Sequence, residues 1–363
     1  ELWVTGLADS GSDSGGITST MVSATPLLIT LEYPPQVGGV ANYYWSLWQA
    51  LPTPWPVADK TVLPKSWWSM IPWLYRQIRL KRYSHILVGQ VLPLGTVALV
   101  IHWFTGIPYS VFTHGMDVIV PQRYPRKRWL LRRILREADH IITVSTFTQQ
   151  VIQTFEPKVK KITVIHPAAY ITPNLVAQPV PGLPDQFILS VGRLIERKGF
   201  DMVIQSLVQF PDLHYVIAGH GQDLARLKDL AAQYQVESRV HFLHDLTDAK
   251  IAYLYQHCLF FVMPSRQLPN GDVEGFGIVV MEANRFGKTA IGGRAGGMAD
   301  AIQDGITGLL VDGTNQTELV KAIQLLLDPK YRDALAEKAK KFSETQTWEY
   351  AAKQLSAIVN SNG

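Results

Sequence analysis

The residues best suited to chemistry lie in one stretch, Glu274-Gly-Phe-Gly-Ile-Val-Val-Met-Glu282. Val262-Met263-Pro264-Ser265 reads as the end of a strand that feeds a loop, and the loop feeds a helix. Glu274 falls just before the helix and Glu282 inside it. At about 1.5 Å of rise per residue the two carboxylates stand roughly 12 Å apart. The backbone N–H groups of Gly275, Phe276 and Gly277 fall at the helix N-terminus, where anions bind well. A nucleotide sugar needs hydroxyl acceptors at both ends of a diphosphate of about that reach, so one segment can hold sugar, diphosphate and ribose. Two isolated glutamates would be read more simply as a solvated residue and a helix cap. The glycines between them and the strand before them favour binding.

Three further segments carry candidate chemistry. Ser190-Val-Gly192-Arg193-Leu-Ile-Glu-Arg197-Lys198-Gly199-Phe200 follows a strand, at the end where open α/β sheets bind ligands. Arg193 and Lys198 there can neutralise a diphosphate leaving group, with Arg197 as a spare candidate. Alone, the stretch reads better as an exposed charged loop before a helix. Gly38-Gly39-Val-Ala-Asn42 offers a glycine pair that lets backbone approach a phosphate, although such pairs are common in turns. It is not Gly-x-Gly-x-x-Gly, which argues against a dinucleotide enzyme. Thr113-His114-Gly115-Met116-Asp117 ends another strand. His114 is placed to meet a substrate hydroxyl or developing charge there, or to serve as a structural histidine; the residues leave both readings open.

These segments sit on an alternation of short apolar runs and helical stretches, the pattern of parallel α/β units. Strands are expected at Leu27–Leu31, Ile86–Val88, Tyr109–Thr113, His140–Val144 and Ile162–Ile165, with helices near Val40–Ala50, Ser66–Arg82, Pro93–Phe104, Arg126–Ala138 and Thr146–Phe155. Pro167 to Pro184, with Pro173, Pro179, Pro181 and Gly182 between, marks a linker. The alternation then restarts, with strands at Phe187–Val191, His214–Ala218, Val240–Leu243, Leu259–Met263, Thr289–Ile291 and Gly308–Val311. Helices are expected near Phe200–Gln209, Asp223–Gln235, Asp248–His257, Phe276–Phe286, Gln316–Leu327, Tyr331–Thr345 and Trp348–Asn360. The division that follows is a leader over 1–20, one Rossmann-like domain over 21–178, a second over 179–345, and a closing helix over 346–363.

At 363 residues the chain suits two domains. A single cysteine, Cys258, excludes an internal disulfide, and its apolar neighbours make it a buried structural thiol. Residues 1–20 are Ser-, Gly- and Asp-rich without apolar period, and read as a disordered leader or an artificial addition. They lack the regions of a signal peptide, so the expected location is cytoplasmic. Ile86–Phe104 is broken by Gln90, Pro93, Gly95 and His102, and reads as a buried strand, turn and helix rather than a membrane span. Residues 1–170 carry 16 Lys and Arg against 9 Asp and Glu, whereas residues 171–363 carry 18 against 21. The excess lies in Arg76, Arg79, Lys81 and Arg82, and in Arg123, Arg126, Lys127, Arg128, Arg132, Arg133 and Arg136. Both clusters fall on helices with Trp67, Trp68, Trp73 or Trp129 close by. Such helices suit either an anionic membrane surface or a plain solvated face. No stacking platform accompanies the charge, so nucleic acid is not the expected partner.

In order and spacing these four segments resemble retaining glycosyltransferase family 4 of the GT-B fold. The resemblance runs from about Pro26 to the final helix and is strongest from Phe187 to Asp312. Glu274 and Glu282 match that family's E-x7-E motif, and Gly296-Gly297-Met-Ala-Asp-Ala-Ile302 with Asp304-Gly-Ile-Thr-Gly-Leu-Leu-Val311 resembles its closing motif. Asp272-Val-Glu-Gly-Phe-Gly277 and Thr113-His-Gly-Met-Asp117 look like bacterial mannosyltransferases acting on phosphatidylinositol mannosides or related lipid acceptors. The chain departs from the family pattern at His166-Pro-Ala-Ala-Tyr170 and at His244-Asp245-Leu246.

The resemblance implies two parallel sheets facing across a cleft, with the C-terminal helix crossing back to the first domain. It implies that Glu282 binds ribose hydroxyls and Glu274 the donor sugar, and that Arg193 and Lys198 bind the diphosphate. Gly39, beside Gly38, would let a loop close on the β-phosphate, and His114 would contact the donor sugar. The co-substrate would be a nucleotide diphosphate sugar, GDP-mannose before UDP-sugars, with no metal or other cofactor. The acceptor would be lipid-linked or a glycan. A soluble acceptor with a UDP-sugar, or a non-catalytic sugar-nucleotide-binding protein, are the alternatives.

Overall fold

Residues 25–36 and 38–360 are described in the computed structural model of the chain, and the expected leader over 1–20 lies outside them. The first half runs β1 (Leu27–Ile29), α1 (Gly39–Gln49), β2 (Val57–Ala58), α2 (Trp67–Lys81), β3 (Ile86–Val88), α3 (Leu94–Thr105), β4 (Tyr109–Thr113), α4 (Met116–Ile119), α5 (Pro125–Glu137), β5 (His140–Thr143), α6 (Thr146–Phe155) and β6 (Ile162–Val164). Residues 165–186 carry no helix or strand. The second half runs β7 (Phe187–Val191), α7 (Phe200–Ser206), β8 (His214–Ala218), α8 (Leu224–Gln233), β9 (Val240–Leu243), α9 (Asp248–His257), β10 (Phe261–Met263), α10 (Ile278–Arg285), β11 (Ala290–Gly293), α11 (Met298–Ala301), β12 (Gly308–Val311), α12 (Gln316–Leu327), α13 (Pro329–Thr345) and α14 (Trp348–Asn360).

Each half builds one six-stranded parallel sheet, ordered β2-β1-β3-β4-β5-β6 and β12-β11-β10-β7-β8-β9. Successive residues of each strand feed opposite layers. Ile188, Tyr215, Ile217 and Val262 join one core of the second sheet, while Leu189, Val216, Phe261 and Met263 join the other. The first sheet divides in the same way, with Ile86 and Val88 on one side and Leu87 on the other. Burial on both faces explains why these strands are near-continuous apolar runs. The chain returns at its end: Ala352, Leu355 and Ile358 of α14 enter the first sheet's core beside Tyr44 and Leu47 of α1. Trp348 Nε1 donates to Ala169 O at 3.0 Å and anchors that return. The fold is therefore two facing doubly wound α/β units with a crossing C-terminal helix, as the sequence implied.

The differences from expectation are local. β2 lies in the Pro-rich stretch after Leu51; its two residues are too few for any period, and only pairing to Leu28 and Ile29 defines it. The single turns α4 and α11 are likewise too short for a periodic signature. Helix α13 starts at Pro329 rather than Tyr331, because Asp328 caps the Lys330 N–H and proline is tolerated in a first turn. Helix α10 starts at Ile278 rather than Phe276, which leaves Gly275 to Gly277 as a loop. The Cys258 thiol is buried, and burial pushes it up to about 12.

Candidate active site

In the second sheet the strand order reverses between β10 and β7. At such a switch point the loops leaving neighbouring strands diverge and open a crevice at the carboxyl ends. The two loops there are 192–199 after β7 and 264–277 after β10, and they hold the residues the sequence singled out. The matching reversal in the first sheet lies between β1 and β3, where Leu31 N donates to Gln90 Oε1 at 2.9 Å.

Glu274 is half-buried within a charged cluster. Arg197 Nη1 donates to Glu274 Oε2, and Lys198 Nζ lies 3.6 Å from the same oxygen. Arg197 Nε also lies 3.1 Å from Asp272 Oδ1. Burial by itself would raise the Glu274 carboxyl, but Lys198 and Arg197 outweigh it and hold it at about 2. Burial lowers the Lys198 ammonium, with Glu274 opposing. Arg197, the spare candidate of the sequence, is thus committed to two carboxylates. Arg193 is exposed, and its charge acts on Lys198 and on Glu32 of the first half.

Glu282, 5% exposed, lies one helix further in. Its Oε2 accepts from Tyr255 Oη at 2.8 Å and its Oε1 from the Ile171 N–H at 3.3 Å. Among the described residues no cation pairs with it, and burial pushes its carboxyl up to about 7. Between the glutamates, the N–H groups of Gly275, Phe276 and Gly277 have no hydrogen-bond acceptor among the described residues. Gly277 holds φ at +102°, and a side chain there would meet Met298 Sδ at 2.8 Å. Three adjacent free donors beside two cations form an anion cradle.

The first half closes the other side. A Cβ on Gly275 would come within 2.7 Å of His114 O, so this glycine permits the approach of the two halves. Thr146 Oγ1 donates to Asp300, and the His166 ring meets Phe276 edge-on with centroids 5.4 Å apart. His114 sits at the end of β4, half-buried, with Nε2 at 2.8 Å from Tyr44 Oη; burial lowers its imidazole to about 4, so it is neutral. Asp117 Oδ1 accepts the His114 backbone N–H at 2.9 Å. Gly38 and Gly39 stand before and at the start of α1, and no protein atom lies within 4 Å of a Cβ built on either.

The structure thus brings Lys198 to Glu274 and Gly275 to His114 at the carboxyl ends of the two sheets, with Glu282 held inside α10 and Arg193 exposed. Sequence reasoning missed Tyr255, Ile171, Tyr44 and Asp272 as partners. Tyr255, Ile171 and Tyr44 belong to no local motif and reach their partners only through the fold, whereas Asp272 opens the Asp272-Val-Glu-Gly-Phe-Gly277 stretch and was not singled out within it.

Comparison with known proteins agrees with this architecture. The glycosyl transferases group 1 family matches residues 174–342, and the glycosyl transferase 4-like domain matches residues 23–168. The chain is 32% identical over 239 residues to a Mycolicibacterium smegmatis protein named GDP-mannose-dependent alpha-(1-6)-phosphatidylinositol monomannoside mannosyltransferase, covering 61% of this chain and 62% of that relative. A Corynebacterium glutamicum protein, named as the corresponding monoacylated monomannoside mannosyltransferase, is 27% identical over 93% of this chain and 98% of its own length. Among solved structures, Anabaena HepE in complex with UDP and glucose superposes with a TM-score of 0.75 at 18% identity, covering 93% of this chain and all of that one (100%). Matched by glycosyltransferase families over both of its halves and carrying their two-sheet architecture, the chain belongs to the family 4-like glycosyltransferases of the GT-B fold.

Proposed function

We propose that this glycosyltransferase moves a hexose, mannose before others, from a nucleotide diphosphate sugar to a hydroxyl of a lipid-linked or glycan acceptor, with retention and without metal. The observation that carries the proposal is the pairing of Glu274 and Glu282 across three free backbone donors, with Lys198 buried beside them and Arg193 at the rim. In this reading Glu282 takes the ribose hydroxyls and the amides of residues 275–277 take the diphosphate. Lys198 and Arg193 offset its charge as the anomeric carbon–oxygen bond breaks. Glu274, ionised at all working pH values, meets hydroxyls of the sugar, and the acceptor oxygen bonds to the anomeric carbon on the leaving-group face while the phosphate takes its proton. GDP is favoured because the two relatives above are named as GDP-mannose-dependent.

The test is calorimetric binding of GDP, UDP, ADP and dTDP, with and without a chelator, followed by turnover with the preferred donor. Tight GDP binding that survives chelation supports the reading. Preference for UDP moves the donor, metal-dependent binding removes the metal-free mechanism, and binding of none removes the site.

A second observation favours an anionic lipid surface for the acceptor. Helices α2, α3 and α5 lie side by side. They expose Trp68, Trp103, Phe104 and Trp129 among Arg76, Arg79, Arg126, Lys127 and Arg133. Arg133 stacks over Trp103 at 5.7 Å. No helix among the described residues is long and apolar enough to cross a membrane. Exposed aromatics in a basic field suit the headgroup layer. Sedimentation with vesicles containing phosphatidylglycerol, at low and high salt, decides this; no binding at low salt removes the surface.

A further inference from the structure

The Tyr44 hydroxyl makes two short contacts that fix where hydrogens lie. Its oxygen is 2.6 Å from Gly89 O and 2.8 Å from His114 Nε2. Gly89 O is a carbonyl and can only accept, so the single phenolic hydrogen of Tyr44 goes there. Were it turned to His114 instead, two bare oxygens would face each other at 2.6 Å inside the core. The Tyr44 oxygen must therefore accept from His114, which puts a hydrogen on Nε2. The frame around this pair does not yield. Gly89 N–H is bonded to Ile29 O at 2.8 Å, and the Tyr44 ring packs edge-on to Phe112 and His114 with centroids 5.3 and 5.5 Å away. On the other side, Asp117 grips the His114 backbone N–H. With the imidazole neutral, its Nδ1 keeps a lone pair, and that nitrogen has no protein hydrogen-bond partner among the described residues.

We propose that Tyr44 is a positioning residue for sugar recognition: by taking the Nε2 hydrogen of His114 it makes Nδ1 an obligate acceptor, so that His114 requires a hydroxyl donor on the transferred sugar. The sugar's part in this rests on the function proposed above; the tautomer does not. The consequence is selectivity by hydrogen-bond sense. A hydroxyl satisfies Nδ1, whereas a fluorine or a hydrogen at that sugar position leaves the lone pair unmet.

The experiment reads the ring nitrogens of the ligand-free protein by ¹⁵N spectroscopy of histidine-labelled samples, with His114→Gln to assign the resonances. The expected result is a bare Nδ1 and a protonated Nε2 for His114, shifting toward protonated Nδ1 in Tyr44→Phe. Turnover in that variant should fall about tenfold, the scale of one hydrogen bond, with the donor KM little changed. A merely structural Tyr44 would alter stability and leave the tautomer where it was. Protonated Nδ1 in the unsubstituted protein, or an unchanged tautomer in folded Tyr44→Phe, overturns the proposal. Should Tyr44→Phe not fold, the unsubstituted protein's spectrum decides alone. Since the spectrum needs neither donor nor acceptor, absence of sugar transfer counts against the proposed function and leaves the tautomer test intact.

Discussion

Glu274 and Glu282 lie eight residues apart in one segment, the first half-buried and the second buried, yet they are opposite electrostatic objects. Around Glu274 the fold places Arg197 and Lys198, and the carboxyl sits at about 2. Around Glu282 it places the neutral donors Tyr255, Ile171 and Tyr170, and burial raises the carboxyl to about 7. The lesson is that a repeated residue in a motif does not imply a repeated chemistry. The first glutamate is a permanent anion whose charge is already matched, so it can only orient neutral hydroxyls. The second is a buried carboxyl that burial keeps partly protonated near pH 7, and in the function proposed above a pair of ribose hydroxyls would favour its ionised form.

The largest effect that breaks this contrast comes from the cations. Arg197→Met leaves Glu274 and Asp272 short of a partner inside the protein. It should cost about 3–5 kcal/mol of stability, the scale of orphaning one side of a buried ion pair. Chemical denaturation measures it; a midpoint within error of the parent would mean that Lys198 alone holds Glu274. Glu282→Ala comes next and should weaken nucleoside diphosphate binding by about 2–4 kcal/mol, as for the loss of a charged acceptor pair. Unchanged affinity in a calorimeter would remove the ribose role. His114→Ala should lower turnover by roughly a hundredfold while affinity for the nucleotide barely moves. An unchanged rate would make it a structural histidine.

The smallest effect sharpens the contrast through pH. Glu282's folded-state value lies above its unfolded one, so its contribution to stability is full below about 4.5 and is lost as pH rises through about 7. Glu274 runs the other way: its contribution is full above about 4.5 and is lost as pH falls through about 2. If ribose hydroxyls favour ionised Glu282, binding of the intact nucleotide sugar should release protons near pH 7, and affinity should rise several-fold from pH 6 to 8. Calorimetry in buffers of different ionisation heats detects the proton, and Glu282→Gln should abolish it. Proton uptake in place of release would show that the neutral carboxyl is the binding form.

Much of this was legible in the sequence because parallel strands buried on both faces leave unmistakable apolar runs. Tyr109–Thr113, Phe187–Val191 and His214–Ala218 were bounded correctly on that signal alone. Val57–Ala58 was not, since two residues carry no period and exist as a strand only by pairing. The site divides in the same way. Gly275 and Gly277 stood out because their backbone N–H groups fall at a helix N-terminus, where anions bind, and the structure adds that Gly275 also makes room for His114. Arg193 and Arg197 differ by four positions in one charged loop, and the spacing points to Arg193 with Lys198, leaving Arg197 as the spare. In the fold Arg197 faces Glu274 and Asp272, and Arg193 stays at the rim.

Sequence by itself determined the two α/β units, the loops that carry the candidate site residues, and the segment that spaces two carboxylates. These depend on local periodicity and on residue type, which a linear chain records directly. Tertiary structure alone decided the charge state of each glutamate, the partner of each arginine and the hydrogen on His114. Those depend on burial and on groups far apart in the chain, such as Ile171 with Glu282, Arg197 with Glu274, and Tyr44 with His114. Coulomb and desolvation energies follow distance in space, and distance along the chain does not record it.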